Sequence, residues 1–421
     1  MKRVRITATI FATVALLVAG CGGSGGDSNS SDSKTFEFWS FANIHQKDDV
    51  DVYTKAHPDV HIKLTEVGST TETAQALTTA LAGGKVPDLV LIQADDLPKF
   101  MQSPDNFVDL TTLGANDIKG NYLDWVMAQS TTKDGKIIGV PTDVGGLAVA
   151  YRTDLFKAAG LPTDREEVAK LWPTWDEFIN VGKQYVQKTG KPFVDNTPTS
   201  VFFQAVNQGS QRYYSADRQL DYDNEQVKAA FDITLKAFGA GISAKQGSFS
   251  TGWTAAMKKG DYAVVCSPSW MLSQMKTNAP ETNGKWDIAT IPGGSGNWGG
   301  SFLAIPKRAK NAKAAWNYIS EMQSPKGQLG HFLMQGSLPT TPSVYTDPQL
   351  VGKTDPFFSN APIGKIYTQS VLGIKPFYFG PQDGPVGTEF LNTLTSVEQG
   401  KVDPAKAWDT ALTNVKNAVR G

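Results

Sequence analysis

The sequence predicts an α/β protein built of two lobes. Its 421 residues exceed what a single ordinary hydrophobic core accommodates. From residue 36 onward, segments with strand periodicity alternate with segments of helical periodicity. A break at residues 141–146 separates two apolar runs and is suited to a hinge between lobes. With 40% hydrophobic and 19% charged residues, the composition is typical of a soluble globular protein.

The first hundred residues predict a β-α-β-α-β unit, which starts a doubly wound sheet. Strands are predicted at residues 36–39, 60–65 and 89–92, and the continuous apolar run of the third indicates burial on both faces. Helices fill the two intervals, and Gly83-Gly84 ends the second of them. In such a sheet, ligands bind in the loops beyond the carboxyl ends of the strands.

Later segments continue the alternation. Thr174 and Glu177 form a capping box that starts a helix, and Asp223 or Asn224 caps another. An apolar strand within residues 299–306 is expected to return the chain to the first lobe, before a helix at about 312–322. Asp403 is expected to cap the final helix.

Charge and composition argue against several classes of protein. Forty Lys and Arg against 41 Asp and Glu leave no basic excess for nucleic acid. Two cysteines exclude a disulfide framework and a four-thiolate metal site. His57 and His61 have zinc-helix spacing, but Pro58 breaks that helix, so we predict no metal. Residues 294–299 match a dinucleotide fingerprint but precede a strand, so we predict no cofactor.

The amino terminus has the layout of an export signal. Residues 1–20 combine a basic head with an apolar run, and Leu17–Cys21 resembles a bacterial lipobox. Cys21 is therefore expected to carry a lipid and become the mature amino terminus, anchoring the protein to the membrane. The Gly, Ser and Asp residues of 21–34 predict a flexible tether. A plain secretory signal with a chance cysteine is the alternative.

Aromatic residues at turns give the strongest functional signal. Trp39, Trp270, Trp298 and the segment Phe377–Phe379 lie beside small or polar residues instead of on periodic helix faces. A sugar has apolar C–H faces ringed by hydroxyl groups, so its site needs an aromatic platform and convergent polar groups. This pattern favours a carbohydrate site. The alternative is that Trp39 and Phe379 only fill the interface between lobes.

Several short segments follow one another in a characteristic order, and none is diagnostic alone. They are the lipobox, the tether, Phe36–Ser40, Leu81–Asp88, Gly139–Asp143 with Tyr151–Phe156, and Trp172–Phe178. Together they resemble the carbohydrate-binding lipoproteins of bacterial ABC importers. The resemblance implies a two-lobe periplasmic-binding-protein fold of the maltose-binding type, with hinge crossovers. It also implies a monomer on the outer face of the membrane that delivers a di- or oligosaccharide to permease subunits, without catalysis.

The resemblance also implies how the chain divides and where the sugar binds. The amino-terminal lobe is expected to contain residues 35–142 and 301–338, and the carboxy-terminal lobe residues 143–300 and 339–421. Trp270 is expected to stack on the sugar and Asp143 to accept hydrogen bonds from its hydroxyls. The other candidate binding residues are Asn43, His45, Gln93, Asp95, Trp298, Gly299, Gly300, Tyr378 and Phe379.

Each candidate also has a plainer explanation. Trp270 could pack in a core, Asp143 could form a turn before Gly145-Gly146, and the loop residues could be solvated. Asp96 is expected to cap a helix that begins at Leu97-Pro98. Two other functions stay open. One is a secreted polysaccharide hydrolase, and the other is a binding protein for a peptide or an anion, in which Arg152 would hold the anion.

Overall fold

The computed structural model describes residues 34–42 and 44–420, and these residues form two β-sheets with helices packed around them. The predicted signal, most of the tether, Cys21 and Asn43 lie outside the described residues. The strands are β1 (Thr35–Ser40), β2 (His61–Glu66), β3 (Leu89–Gln93), β4 (Val140–Pro141), β5 (Leu147–Arg152), β6 (Val264–Pro268), β7 (Trp286–Thr290) and β8 (Ser301–Ala304).

The larger sheet has the strand order β2-β1-β3-β8-β4. Strands β1, β2 and β3 run parallel, which confirms the predicted β-α-β-α-β start. Strand β8 pairs antiparallel with both β3 and β4, so the chain returns to this sheet as expected. Strand β3 is buried on both faces except at Gln93, because helices cover the sheet.

The smaller sheet has the order β6-β5-β7, with β5 at its centre and both pairings antiparallel. All six residues of β5 are buried. Two large hydrophobic clusters lie on opposite sides of this sheet. Val149 and Tyr151 contribute to one, and Ala148 and Ala150 contribute to the other, as the two-residue period of a strand requires.

Helices follow the capping and stop signals of the sequence. Thr174 and Glu177 form the predicted capping box, Asn224 caps its helix, and Gly84 ends another in the left-handed conformation. The longer helices are Gln46–Ala56, Thr70–Gly83, Trp175–Thr189, Glu225–Gly239, Thr251–Lys259, Met271–Asn278, Ala312–Met322, Pro325–Gln335, Ile363–Leu372, Asp383–Glu398 and Ala407–Ala418. Shorter ones are Leu97–Phe100, Ala115–Ile118, Asp124–Met127, Thr153–Ala158, Arg165–Leu171, Gln204–Val206 and Pro348–Val351.

Two predicted caps need correction. Asp96 precedes the helix Leu97–Phe100, but its side chain makes no capping hydrogen bond, because its own backbone is already helical. Asp403 accepts a hydrogen bond from the backbone N–H of Ala405 and so caps a 3₁₀ turn. The final α-helix begins only at Ala407.

The chain crosses between the sheets in two adjacent segments. It leaves β4 and enters β5 through residues 142–146, and it returns from β7 to β8 through residues 291–300. The segments touch at Gly145, whose N–H donates to Asn297 Oδ1 at 2.8 Å. Its carbonyl accepts from the N–H of Trp298, also at 2.8 Å. A Cβ at Gly145 would lie 1.8 Å from the Trp298 carbonyl oxygen, so only glycine fits this contact.

We expect Gly145→Ala to lower the free energy of unfolding by about 1–3 kcal/mol, because the new methyl group must push the crossing segments apart. Urea unfolding followed by circular dichroism measures this loss. Gly120→Ala is the matched control, because a Cβ there meets nothing within 4 Å. Equal stability of the two variants would show that the crossing segments tolerate separation.

Candidate functional site

A cavity of about 380 Å³ lies where the two lobes meet, beyond the carboxyl end of β3. Aromatic residues of the second lobe form one part of its lining, and several polar side chains form another. The volume falls within the range of small-molecule sites, which is about 300–1,000 Å³. Its lining includes both crossing segments, the loop after β1, and residues of the helices Gln46–Ala56, Met271–Asn278 and Pro325–Gln335.

Three aromatic side chains of the second lobe form the apolar wall, namely Phe249, Trp270 and Trp298. The indoles of Trp270 and Trp298 meet edge to face at a centroid distance of 5.6 Å. Trp270 Nε1 donates to the carbonyl oxygen of Trp298 at 2.9 Å, which holds the Trp270 ring against the crossing segment of residues 291–300. The Phe249 ring lies 6.1 Å from Trp270 at an interplanar angle of 30°.

Phe249 has two features that are unusual for a large apolar residue. Its side chain is 46% exposed, and its φ of 67° lies in the left-handed region that side chains with a Cβ rarely adopt. Packing in a hydrophobic core accounts for neither feature, because it would bury the ring and would not require a positive φ. The combination indicates that the ring is held at the mouth of the cavity.

Asp143 lies on the polar side, in the crossing segment after β4. Its Oδ1 accepts a hydrogen bond from Thr142 Oγ1 at 2.8 Å. Burial raises the pKa of the Asp143 carboxyl above its usual value, against the opposing effect of that bond. The carboxyl retains acceptor capacity toward the cavity.

His331 also lies on the polar side, and Asp49 holds its ring. The His331 Nδ1 and Asp49 Oδ1 atoms are 2.8 Å apart. Gln46 Nε2 donates to the second oxygen of Asp49 at 3.1 Å, so both carboxylate oxygens have partners. Burial lowers the pKa of His331, but Asp49, together with Asp143 and Asp48, outweighs this effect, and the pKa is raised.

The structure places seven of the eleven predicted binding residues on this cavity. They are His45, Gln93, Asp143, Trp270, Trp298, Gly299 and Gly300. Gly299 and Gly300 both have positive φ, and the Gly300 carbonyl accepts from the N–H of Ala94 at 3.1 Å. Asn43 lies outside the described residues.

Asp95, Tyr378 and Phe379 do not line the cavity. Asp95 Oδ1 instead accepts a hydrogen bond from Arg212 Nη1 at 2.8 Å, which joins the loop after β3 to the second lobe. The guanidinium of Arg212 is buried and lies over the ring of Phe379. Tyr378 packs edge to face on Tyr214 nearby.

Sequence reasoning missed Phe249, Asp49 and His331. Phe249 follows Gly247-Ser248 in a loop, so the rule that selected Trp270, an aromatic residue at a turn, applies to it as well. Asp49 and His331 carry no comparable local signal. They lie on separate helices and are brought together only by the fold.

Within residues 34–42 and 44–420, no group of three or more His, Cys, Asp or Glu side chains is arranged to hold a metal ion. Across those same residues, each helix falls short of the length and apolar character needed to span a bilayer.

Comparison with known families places the chain. Residues 50–359 match the model of the family described as bacterial extracellular solute-binding protein, and the chain belongs to this family. It is 26% identical to an arabinooligosaccharide-binding protein of Bacillus subtilis, over 95% of this chain and 96% of the relative. It is 28% identical to a lactose-binding protein of Rhizobium radiobacter, over 66% of each chain.

Solved structures agree on the fold. An extracellular solute-binding protein of family 1 is 34% identical, with a TM-score of 0.80 over 91% of this chain and 99% of that one. The galacto-N-biose- and lacto-N-biose I-binding protein of Bifidobacterium longum is 20% identical, with a TM-score of 0.77 over 93% and 98% of the two chains. The two-lobe fold of the maltose-binding type, expected from the sequence, is confirmed.

We expect Asp95→Ala to lower the free energy of unfolding by about 1–3 kcal/mol, because it leaves the buried Arg212 guanidinium short of a partner. Urea unfolding of the variant and the parent protein checks this expectation. Glu167→Ala breaks the exposed ion pair with Lys170 and is the control, with an expected change below about 0.5 kcal/mol. Matching losses in the two variants would mean that the Asp95 pair acts as an ordinary surface pair.

Proposed function

We propose that this protein is the substrate-binding lipoprotein of an ABC sugar importer. It captures a di- or oligosaccharide between its lobes and delivers the sugar, chemically unchanged, to the permease. The observation that carries the proposal is the cavity between the lobes, with indole and phenyl rings on one side and carboxylate, imidazole and amide groups on the other. The two relatives named for lactose and arabinooligosaccharides support the choice of ligand class.

The two walls match the two faces of a sugar. Trp270 and Phe249 present ring surface on which the C–H face of a pyranose or furanose can stack. Asp143, Gln93 and His331 provide acceptors and donors for the hydroxyl groups. Because a buried polar group left unpaired is costly, such a site rejects analogues that lack the matching hydroxyl.

Charge favours a neutral ligand over an anion. The described residues that line the cavity include no lysine or arginine. Arg152, on which the anion hypothesis depends, is 4% exposed and pairs with Asp154 through two hydrogen bonds of 2.8 and 2.7 Å. Its guanidinium also lies 5.5 Å from the centre of the Trp286 ring, within the second lobe. The Arg152 guanidinium is thus already paired with a carboxylate of the protein.

Closure of the lobes is the proposed mechanism. The aromatic wall belongs to the second lobe, whereas Gln93 and Asp49 belong to the first. A sugar that contacts both walls stabilises the closed form by its differential contacts, and the permease recognises that form. The crossing segments form the hinge, between lobes of residues 35–142 with 301–338 and 143–300 with 339–421.

The proposal includes the anchor predicted from the sequence. Cleavage before Cys21 and lipidation of its thiol would hold a monomer on the outer face of the membrane. The tether of residues 21–34 would let the folded part reach the permease.

Titration of tryptophan fluorescence against a panel of di-, tri- and tetrasaccharides tests the proposal. We expect saturable binding of at least one sugar and no binding of citrate or short peptides. Incubation of the bound sugar for hours, followed by chromatography, should recover it intact. A fluorescence signal that stays unchanged across the whole panel would refute the carbohydrate assignment, and release of smaller sugars would favour the hydrolase.

We expect Trp270→Ala to weaken sugar binding by about tenfold or more. Burial of a large apolar side chain is worth about 1.5–3 kcal/mol, and 1.4 kcal/mol corresponds to a tenfold change. Isothermal titration calorimetry with the best sugar of the panel measures the effect. Trp408→Ala is the control, because Trp408 packs on Phe231 and Phe390 far from the cavity. Unaltered affinity of the Trp270 variant would remove that residue from the site.

A further inference from the structure

We propose that His331, held by Asp49, determines the specificity and pH dependence of sugar binding by donating a hydrogen bond from its Nε2 to an oxygen of the sugar. This inference rests on the proposed function, since it concerns the same cavity. It goes beyond stacking on the aromatic wall, because it assigns a role to His331 and to the protonation state of its ring.

The position of His331 is fixed by Asp49, and both residues line the cavity. The residue belongs to the helix Pro325–Gln335, and its partner Asp49 belongs to the helix Gln46–Ala56. The side chain of Asp49 is 8% exposed and that of His331 is 20% exposed. Both members of the pair thus border the cavity, and the ring of His331 is the more exposed of the two.

The hydrogen bond to Asp49 assigns one proton of the ring. A carboxylate oxygen accepts, so Nδ1 of His331 must carry a hydrogen atom. Gln46 donates to the other oxygen of Asp49, and this bond keeps the carboxylate oriented. Nε2 makes no hydrogen bond with the residues that the structure describes, and it is the atom left to meet a ligand.

The surrounding charges favour a second proton on the ring. Asp48 and Asp49 face His331 from the first helix, and Asp143 faces it from the crossing segment. Burial would lower the pKa of His331, but these carboxylates, Asp49 first, outweigh it. The imidazolium therefore persists to higher pH than in an ordinary histidine, and Nε2 is then a charged donor.

A charged donor selects particular atoms of a sugar. The ring oxygen and the glycosidic oxygen have lone pairs but no hydrogen, so they can bind a donor such as Nε2–H and cannot bind a carboxylate. A hydroxyl group can serve Asp143 at the same time by donating to it. Hydrogen bonds to charged groups are stronger than neutral ones, and we expect the loss of this one to weaken binding about 10- to 100-fold.

The direction of the pH effect follows from the donor role. Below the pKa of His331 the ring is cationic and the bond to the sugar is complete. As the pH rises through that pKa, Nε2 loses its proton and can no longer donate, so the affinity for the sugar falls. Burial also raises the pKa of the Asp143 carboxyl, but its protonation at lower pH would remove an acceptor for sugar hydroxyls and so acts in the opposite direction to the effect of His331.

The experiment measures affinity for the best sugar of the panel by calorimetry from pH 6 to pH 9.5. We expect the parent protein to lose about tenfold or more in affinity across this range. His331→Gln should bind with a weaker affinity that is nearly independent of pH, because its amide donor does not titrate. Asp49→Asn should move the midpoint of the fall to lower pH, because it removes the main charge that raises the pKa of His331.

His57→Gln is the matched control, because His57 pairs with Glu321 outside the cavity and should leave the whole profile unchanged. A parent protein whose affinity does not depend on pH would overturn the inference and leave the proposed function standing. The same holds if His331→Gln keeps the parent profile. A parent protein that binds no sugar at any pH would refute the proposed function itself. If His331→Gln fails to fold, the shift or constancy of the Asp49→Asn midpoint decides.

Discussion

The contact between the two crossing segments at Gly145 is the constraint on which the rest of the molecule depends. It joins the two segments that connect the sheets, and it tolerates no side chain at that position. The segment of residues 291–300 carries Trp298, whose carbonyl oxygen accepts from Trp270 Nε1. The contact that links the lobes therefore also determines where the aromatic wall lies, because a shift of either segment would move the indoles of Trp270 and Trp298.

The two lobes contribute different chemistry to the cavity. The second lobe supplies the ring surface and Asp143, and the first supplies Gln93, Asp49 and, through the helix Pro325–Gln335, His331. Neither set alone satisfies a ligand that has both apolar faces and hydroxyl edges. In the proposed mechanism, a ligand with both features gains from contact with both lobes at once, and its binding therefore favours closure. Membership in the extracellular solute-binding family agrees with a binding site to which both lobes contribute.

Local patterns predicted the parts of the structure that local interactions determine. The parallel strands β1 to β3, the Thr174 capping box and the crossing at Gly145 all follow from periodicity, caps and glycines within a few residues. Trp270 was found because its turn is visible in the sequence. The pairing of His331 with Asp49 spans 282 residues and depends on how two helices pack, so no local signal exists. The hydrogen bond between Asp95 and Arg212 could not be predicted for the same reason.

The buried state of Cys266 has a practical consequence. It is the one free cysteine among the described residues; it is fully buried in β6, and burial raises the pKa of its thiol well above the usual value. Electrophilic reagents that react with thiolates will therefore leave Cys266 unmodified. Reporter dyes can be attached at cysteines engineered onto the rims of both lobes without removing the native one. The molecule is thus already suited to serve as the scaffold of an optical sensor.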